Sequence, residues 1–275
     1  MPRTWRFLLS PPASGPRNMA IDEALVQSVQ AGGLPIFRLY SWDPHTLSLG
    51  RFQKASEDLD PEGLVHTQMP VVRRMTGGGA LYHGEDFTYS LACTQEDLGE
   101  LNVKQSFRLL CTFLVETWRG MGWDAGFALD LDPQALDLGV KTPVCFAGRE
   151  EYDILVRSSK TQFFQKLGGN AQKRLRQVIF QHGSVPIRQD WERLRPCLTP
   201  KARPLELPST DLASLGWQGS SSDVFTQFKQ NFFKALNRNY VPWEPGEGFI
   251  HEVHRLETHK YRDHPWTFEG KENND

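Results

Sequence analysis

Three consecutive glycines stand between two arginines and a histidine in the stretch RRMTGGGALYHGEDFTYS, residues 73–90. Glycine leaves backbone N–H groups open to a ligand because it has no Cβ, and successive N–H groups in a turn can bind an anion. Arg73 and Arg74 can add charge-assisted hydrogen bonds to a phosphate or carboxylate. The run is neither a Walker A loop nor a GxGxxG fingerprint. It therefore predicts either an anion-binding turn or a hairpin that needs positive φ.

A cysteine that lies in a loop is the second candidate for chemistry. Cys145 lies between Pro143 and Gly148 in TPVCFAGREEY, outside any apolar periodic element. Such a cysteine is a nucleophile where its surroundings lower the pKa of the thiol, and a structural residue otherwise. The chain has four cysteines, and no CxxC pair among them suggests a zinc site. They are Cys93, Cys111, Cys145 and Cys197.

A lysine before two glycines inside a strand is the third candidate. Lys166 precedes the run Gly168, Gly169, Asn170 and Ala171 in KLGGNAQ. Glycine within a strand indicates close approach of the backbone by a ligand. Lys166 would project over that site, or else it is a solvated strand lysine.

Amphipathic periodicity predicts the helices that must position these stretches. NMAIDEALVQSVQAGG reads as a helix capped by Asn18 and ended by two glycines. Further helices are predicted over Lys104 to Met121, over DVFTQFKQNFFKALNR at 223–238, and near Ile250 to Tyr261.

The remaining periodic segments read as strands that follow one another without alternating helices. That order favours an α+β domain with mixed or antiparallel sheets. The predicted strands are PIFRLYSW, TLSLG, MPVVRRM, ALYHGEDFTYSLAC, YDILV, KLGGNAQKR and VIFQHGSVPI.

Length and composition are those of a globular protein. The 275 residues carry a net charge of −2, with 39% hydrophobic and 23% charged residues. No overall charge points to nucleic acid or a membrane surface, and no apolar run approaches the roughly 18 residues of a membrane span. We expect one catalytic domain over residues 1–266, a polar tail over 267–275, and a cytoplasmic protein without a secretory signal.

Four motifs in this order resemble the lipoate–protein ligase and octanoyltransferase family, which is related in structure to the biotin–protein ligases. They are NMAIDEAL, RRMTGGGALYHGEDFTYS, KLGGNAQ and QHGSV. The resemblance runs from about Trp5 to about Trp266 and implies a biotin/lipoate ligase-like catalytic domain. Within the family, Cys145 in VCF resembles the cysteine of the octanoyltransferases that form an acyl-enzyme, and Thr76 resembles the transferases, whereas ligases usually carry serine there.

The resemblance implies an acyltransferase that needs no cofactor and no metal. Octanoyl-acyl carrier protein would donate the acyl group to Cys145, and a lysine of a lipoyl domain would then receive it as an amide. Lys166 would transfer protons and position the acyl carbonyl, with Lys160 as a remote alternative. To act as a base near neutral pH, Lys166 would need its pKa lowered by burial or by Arg73.

The substrate-binding residues implied by these motifs surround the glycine run and the lysine strand. His83 would orient the site, or it is a hydrogen-bonded structural histidine. The octanoyl tunnel should be lined from residues 35–50 and 71–81. The full set is Arg73, Thr76, Gly77, Gly78, Gly79, His83, Gly168, Gly169, Asn170 and Ala171.

Partners follow from the same resemblance. The acceptors would be the glycine cleavage H protein or a 2-oxoacid dehydrogenase E2 subunit, and the enzyme a monomer. The basic residues Lys173, Arg174 and Arg176 would steer acidic partners, or are solvated charges. An ATP-dependent lipoate ligase, an amidotransferase between lipoyl-domain proteins and a non-catalytic carrier-binding protein remain alternatives.

Overall fold

A computed structural model describes residues 3–132, 143–145, 148, 150–161, 163–204 and 209–272. Its strands are β1 (Trp5–Leu9), β2 (Ile36–Tyr40), β3 (Thr46–Leu49), β4 (Val71–Arg73), β5 (Leu81–His83), β6 (Glu85–Thr94), β7 (Asp124–Phe127), β8 (Ile154–Arg157), β9 (Gln165–Leu167), β10 (Gly169–Leu175), β11 (Val178–Arg188), β12 (Ser209–Thr210) and β13 (Tyr240–Pro242). Its α-helices are α1 (Gly15–Gln30), α2 (Ala55–Asp58), α3 (Pro61–Thr67), α4 (Val103–Gly120), α5 (Ala128–Leu131), α6 (Trp191–Leu194), α7 (Ser221–Leu236) and α8 (Glu247–Leu256). Within these described ranges, no helix is both long and apolar enough to cross a membrane.

The strands form three sheets. The largest has the order β10-β11-β6-β2-β1-β13, with β1 parallel to its neighbours and the other pairs antiparallel. A second sheet has the order β12-β9-β8-β7, and a third the order β4-β3-β5. The predicted α+β class with mixed sheets is confirmed.

Side-chain alternation gives the large sheet two different faces. Phe37 and Tyr89 face α4 and α7, where Phe37 stacks on Phe232 with ring centroids 3.8 Å apart. The neighbouring Arg38 and Ser90 face α1 instead, since both contact Asp22 of that helix. One face is therefore an aromatic core, and the other carries buried polar groups.

The helix predictions hold to within a few residues, except at the start of α1. Asn102 caps α4 with a full capping box, and the helix begins at Val103, one residue before its predicted span. Asn18 does not cap α1, because the helix starts earlier, with a proline in its first turn. The Asn18 side chain instead donates to the carbonyl oxygens of Ala13 and Ser41. These bonds connect α1 to the loop that follows β2.

The segment ALYHGEDFTYSLAC is broken at Gly84 into β5 and β6, which belong to different sheets. A Cβ at Gly84 would lie 2.7 Å from the Tyr82 ring, so a residue with a side chain would not fit this corner. The corner turns His83 from the small sheet toward the polar face of the large one.

The chain end packs on the domain. A helical turn at Pro265–Glu269 includes the buried residues Trp266 and Thr267, and the Trp266 indole N–H donates to the carbonyl oxygen of Arg73 at 3.0 Å. The boundary predicted between residues 266 and 267 falls inside this turn.

Candidate active site

The glycine turn joins β4 to β5 and is held from inside by Arg74. The Arg74 guanidinium donates to the carbonyl oxygens of Gly77 at 2.9 Å and Gly79 at 2.7 Å. Gly78 has a φ of +96°, which favours glycine, and a Cβ on Gly50 would lie 2.0 Å from the Gly78 carbonyl oxygen. The sequence thus supplies glycine where the turn is left-handed and where two backbone segments touch.

Cys145 is attached directly to the strand that leaves this turn. The Ala80 amide donates to the carbonyl oxygen of Pro143 at 2.7 Å, and the Cys145 amide donates to that of Ala80 at 3.0 Å. These two bonds form a parallel bridge between Ala80 and Val144. They place Cys145 beside the glycine run although more than sixty positions separate the two in the sequence.

The four cysteines, all within the described ranges, differ in their surroundings. Cys145 is partly exposed, whereas Cys93, Cys111 and Cys197 are buried. Burial raises the pKa of the Cys111 thiol to about 12 and that of Cys93 well above its usual value. Cys145 is therefore the cysteine placed to react with a ligand.

Lys166 of β9 binds the backbone of the Cys145 segment. Its ammonium donates to the carbonyl oxygens of Cys145 at 3.1 Å and Gly148 at 3.0 Å, and lies 2.8 Å from Oδ2 of Asp153. These acceptors match its three N–H bonds.

The lowered pKa that Lys166 would need to act as a base is not found. Burial does act to lower this pKa, but the negative charges of Asp153 and Cys145 and the hydrogen bond to Asp153 outweigh it. The net effect is a raised pKa, so Lys166 is a buried ammonium ion at neutral pH.

The two adjacent arginines serve different places. Arg73 donates to the backbone carbonyl oxygens of residues 50, 51, 53 and 266–268. It thereby joins the loop after β3 to the chain end. Arg74 lies in the cavity wall. Burial lowers the pKa of Arg74 to about 10, against the opposing effect of the Cys145 charge, so it is still a cation near neutral pH.

Thr76 connects the glycine turn to the polar face of the sheet. Its hydroxyl lies 2.6 Å from Nε2 of His182, whose Nδ1 lies 3.7 Å from Oδ2 of Asp22. Asp22 also pairs with Arg38 at 2.8 Å. Burial raises the pKa of Asp22, but its bonds to His182, Arg38 and Ser90 outweigh that effect, and the pKa is lowered.

His83 occupies the opposite wall of the cavity. Its Nε2 lies 2.9 Å from the Ser48 hydroxyl, its Nδ1 lies 2.8 Å from Oδ2 of Asp86, and its ring stacks on Trp42. Burial lowers the pKa of His83 despite the Asp86 charge. His83 is thus a hydrogen-bonded, fixed histidine that also faces the cavity.

These groups surround one cavity, with about 440 Å³ of unoccupied space measured out to its mouth. The predicted residues in its wall are Gly77, Gly78, His83, Cys145, Gly169, Asn170 and Ala171. The Asn170 side chain itself is held by the Tyr89 hydroxyl at 2.8 Å, on the α4 face of the sheet. The predicted tunnel segments contribute Tyr40, Trp42, Ser48 and Leu81.

Some predicted site residues lie outside the wall. Gly168 has a φ of +88°, and a Cβ there would lie 2.5 Å from the Ser184 carbonyl oxygen, so this glycine permits the β9–β10 corner. Lys160 packs against Gly216, and Arg174 donates to the Ser106 hydroxyl at 2.7 Å. The predicted site residues outside the wall are Arg73, Thr76, Gly79, Lys166 and Gly168.

Sequence reasoning missed several wall residues, including Met19, Thr88 and His182. Met19 and His182 lie within the motifs NMAIDEAL and QHGSV, which were recognised without a role for each residue. No group of three or more His, Cys, Asp or Glu side chains in the described ranges could hold a metal ion.

Comparisons with known proteins agree with this architecture. A family model for the lipoyl protein ligase A/B catalytic domain matches residues 14–236. The octanoyltransferase LipM of Lysinibacillus sphaericus is 32% identical over 279 residues, covering 96% of this chain and 99% of the relative. The octanoyltransferase LipM of an Exiguobacterium species is 39% identical over 199 residues, or 70% of each chain.

Solved structures show the same fold. A lipoate-protein ligase A bound with ATP superposes with a TM-score of 0.77 at 22% identity, over 96% of this chain and 98% of the other. Protein Ta0514 from T. acidophilum, a putative lipoate protein ligase with bound lipoic acid, gives 0.76 at 24% identity, over 96% and 99%. The predicted lipoate ligase-like catalytic fold is confirmed.

Proposed function

The chain belongs to the lipoyl protein ligase A/B catalytic-domain family, and from that membership and the cavity we propose that it is an octanoyltransferase acting on lipoyl-domain proteins. One observation carries the mechanism: the partly exposed residue Cys145 lines the cavity and is hydrogen-bonded through its backbone to the end of the glycine turn and to the buried ammonium of Lys166. The buried cation Arg74 lies in the same cavity wall. The near full-length relatives that bear the name octanoyltransferase support the same reaction.

The first step is thiol–thioester exchange. The Cys145 thiolate attacks the thioester carbonyl of octanoyl-acyl carrier protein, a new S–C bond forms, and the bond to the carrier sulfur breaks. The carrier thiolate leaves and takes up a proton from solvent. One thioester replaces another, so this step requires no ATP.

The buried cations favour this step. The charge of Cys145 acts to raise the pKa of both Arg74 and Lys166, and both side chains are positive at neutral pH. A positive charge near the reacting atoms favours the negative charge that develops on the thioester oxygen during attack. Lys166 acts in this account through its charge and its hold on the Cys145 backbone, and a solvent molecule carries the protons.

The glycine turn supplies the oxyanion site in this proposal. A Cβ on Gly77 would meet no atom within 4 Å, so the space above this residue is open to a ligand. Backbone N–H groups of the turn would donate to the oxygen that becomes negative during attack. Removing one such donor typically raises the activation free energy by about 3 kcal/mol.

The second step forms the amide. The lysine ammonium of the lipoyl domain first loses one proton to solvent, and the neutral amine attacks the octanoyl thioester. A C–N bond forms, the Cys145 C–S bond breaks, and a second proton passes from the nitrogen to the departing thiolate. We take the H protein or an E2 subunit as acceptor, and the enzyme as a cytoplasmic monomer.

Mass spectrometry of the intact protein tests this function. After mixing with octanoyl-acyl carrier protein without ATP, the wild type should gain the mass of one octanoyl group, and Cys145→Ala should not. A chain that modifies the acceptor only with free octanoate, ATP and Mg²⁺ would be a ligase instead. A chain that accepts octanoyl groups only from another lipoyl-domain protein would be an amidotransferase.

A further inference from the structure

A second cavity lies behind the wall that carries His83 and Cys145. It contains about 390 Å³ of unoccupied space, which includes open solvent at its mouth. Tyr82, Asp86 and Val144 contribute to its lining. His83 and Cys145, the residues that follow Tyr82 and Val144 in the chain, line the first cavity. The two cavities thus lie on either side of the same two backbone segments.

Asp86 connects the two cavities and has one unused acceptor. Its Oδ2 lies 2.8 Å from Nδ1 of His83 and accepts hydrogen bonds from the hydroxyls of Thr88 at 3.0 Å and Ser184 at 2.5 Å. All three partners line the first cavity. The other oxygen, Oδ1, is buried and has no hydrogen-bond partner within the described part of the chain.

This oxygen calls for a donor. Only 2% of the Asp86 side chain is exposed, and a buried acceptor without a partner is destabilising, more so when it is charged. Because Oδ2 is held toward the first cavity by three groups, Oδ1 is turned away from them, and Asp86 forms part of the second cavity's wall. The group that fits is an N–H donor or an ammonium ion entering from that side.

The charge of the entrance favours a cation. The second cavity shares Glu85, Arg188 and Asp190 with an adjoining cleft, whose lining also includes Glu192. Three carboxylates thus accompany one arginine there. Glu85 and Arg188 are both well exposed and lie 3.8 Å apart. An acidic excess along a cleft raises the local concentration of cations.

We propose that the second cavity binds the side chain of the acceptor lysine, whose ammonium group donates to Asp86 Oδ1. This inference rests on the proposed function, since it requires an acceptor lysine that attacks an acyl group held on Cys145. Tyr82, Val144 and Pro186 offer apolar surface to the methylene stem. The amine approaches the thioester from the Val144 side while the octanoyl chain occupies the first cavity.

Asp86 in this role orients the amine and takes one of its protons. The bound ammonium first gives one proton by way of Asp86 Oδ1 to water, which leaves a neutral amine. As the C–N bond forms and the Cys145 C–S bond breaks, a second proton passes from the nitrogen to the departing thiolate.

The test separates the two half-reactions. Asp86→Asn should slow both half-reactions, since Asp86 also holds His83, Thr88 and Ser184 in the wall of the first cavity. Transfer from the preformed acyl-enzyme to a purified apo lipoyl domain should slow about tenfold or more beyond the slowing of Cys145 octanoylation, since the ammonium loses its charged partner. Equal slowing of both steps would show that Asp86 merely supports His83, and unchanged transfer would show that it holds no amine; either result overturns the proposal.

A surface variant tests the same path if Asp86→Asn does not fold. Glu85→Lys places a cation at the cleft and should raise the KM for the lipoyl domain without changing acylation. Glu116→Lys is the matched control, because Glu116 is also an exposed glutamate beside an arginine, 3.4 Å from Arg119. If both variants have the same KM, the cleft is not the route of the lysine. Failure of the wild type to form any octanoyl-Cys145 would refute the proposed function instead.

Discussion

The ammonium group of Lys166 donates a hydrogen bond across 3.1 Å to the backbone carbonyl oxygen of Cys145. The lysine therefore binds the nucleophile's backbone, and its remaining N–H groups go to Gly148 and Asp153. A lysine whose three donors are all engaged has no free lone pair with which to accept a proton. Its contribution to chemistry is a positive charge and a fixed Cys145 segment.

Replacing Lys166 by Met should therefore damage both stability and reactivity. The change leaves Asp153 as an unpaired buried charge, which typically costs about 3–5 kcal/mol of unfolding free energy, and it frees the Cys145 segment. Urea unfolding and the rate of Cys145 alkylation by iodoacetamide measure the two effects.

A double variant distinguishes these effects. Lys166→Met with Asp153→Leu removes both charges, so it should recover much of the stability while alkylation of Cys145 stays slow. If alkylation recovers together with stability, Lys166 does not act on the thiol, and its role is structural alone.

The hydroxyl of Thr76 should matter more than its methyl group. Thr76→Val leaves the buried ring nitrogen of His182 without its 2.6 Å partner, at an expected cost of about 1–3 kcal/mol. Thr76→Ser keeps the hydroxyl and should unfold close to the wild-type urea concentration. Equal destabilisation of the two variants would mean that packing, and not the hydrogen bond, determines this position.

Two histidines should make stability dependent on pH. Burial lowers the pKa of both His83 and His182, whereas the same residues in the unfolded chain protonate near pH 6.5. A lowered pKa in the folded state means that the stabilisation is present above about pH 6.5 and is lost as the pH falls below it.

Urea unfolding at a series of pH values checks this expectation. The unfolding free energy of the wild type should decrease between about pH 7.5 and about pH 5.5, a range that spans the unfolded histidine pKa of about 6.5. The decrease should be smaller in His83→Gln and in His182→Gln. A wild-type profile that is flat over this range contradicts the burial of neutral imidazoles.

Gly78 and Gly77 should respond differently to alanine. At Gly78 the φ of +96° is costly for an L-residue, by about 1–2 kcal/mol, and the new Cβ would lie 2.9 Å from Arg74 Nη2. At Gly77 the Cβ meets nothing within 4 Å. Thermal unfolding should show Gly78→Ala as the less stable variant. The reverse order would mean that residue 78 does not have a positive φ.

Local sequence patterns predicted most of the elements. The apolar spacing of α4 is a local property, and its predicted start at Lys104 lies one residue from the observed start at Val103. The position of Cys145 in a loop, together with motifs of known order, made it the candidate nucleophile without any contact information. These features depend on neighbours in the chain.

Contacts between distant residues could not be read in the same way. Arg73 and Arg74 are adjacent, and nothing local shows which of them faces the cavity and which faces the chain end. The pKa of Lys166 is raised by Asp153, which lies thirteen positions earlier and directly before β8. No local sequence pattern indicates that pairing. The corner at Gly84 likewise depends on a ring that packs against it.

A crystal structure of the octanoylated enzyme tests the central claim most directly. The account predicts continuous density from Sγ of Cys145 into the cavity between His83, Trp42 and Leu81, with the thioester oxygen directed at the glycine turn. Octanoyl density attached to another residue, or a chain lying outside this cavity, would contradict it.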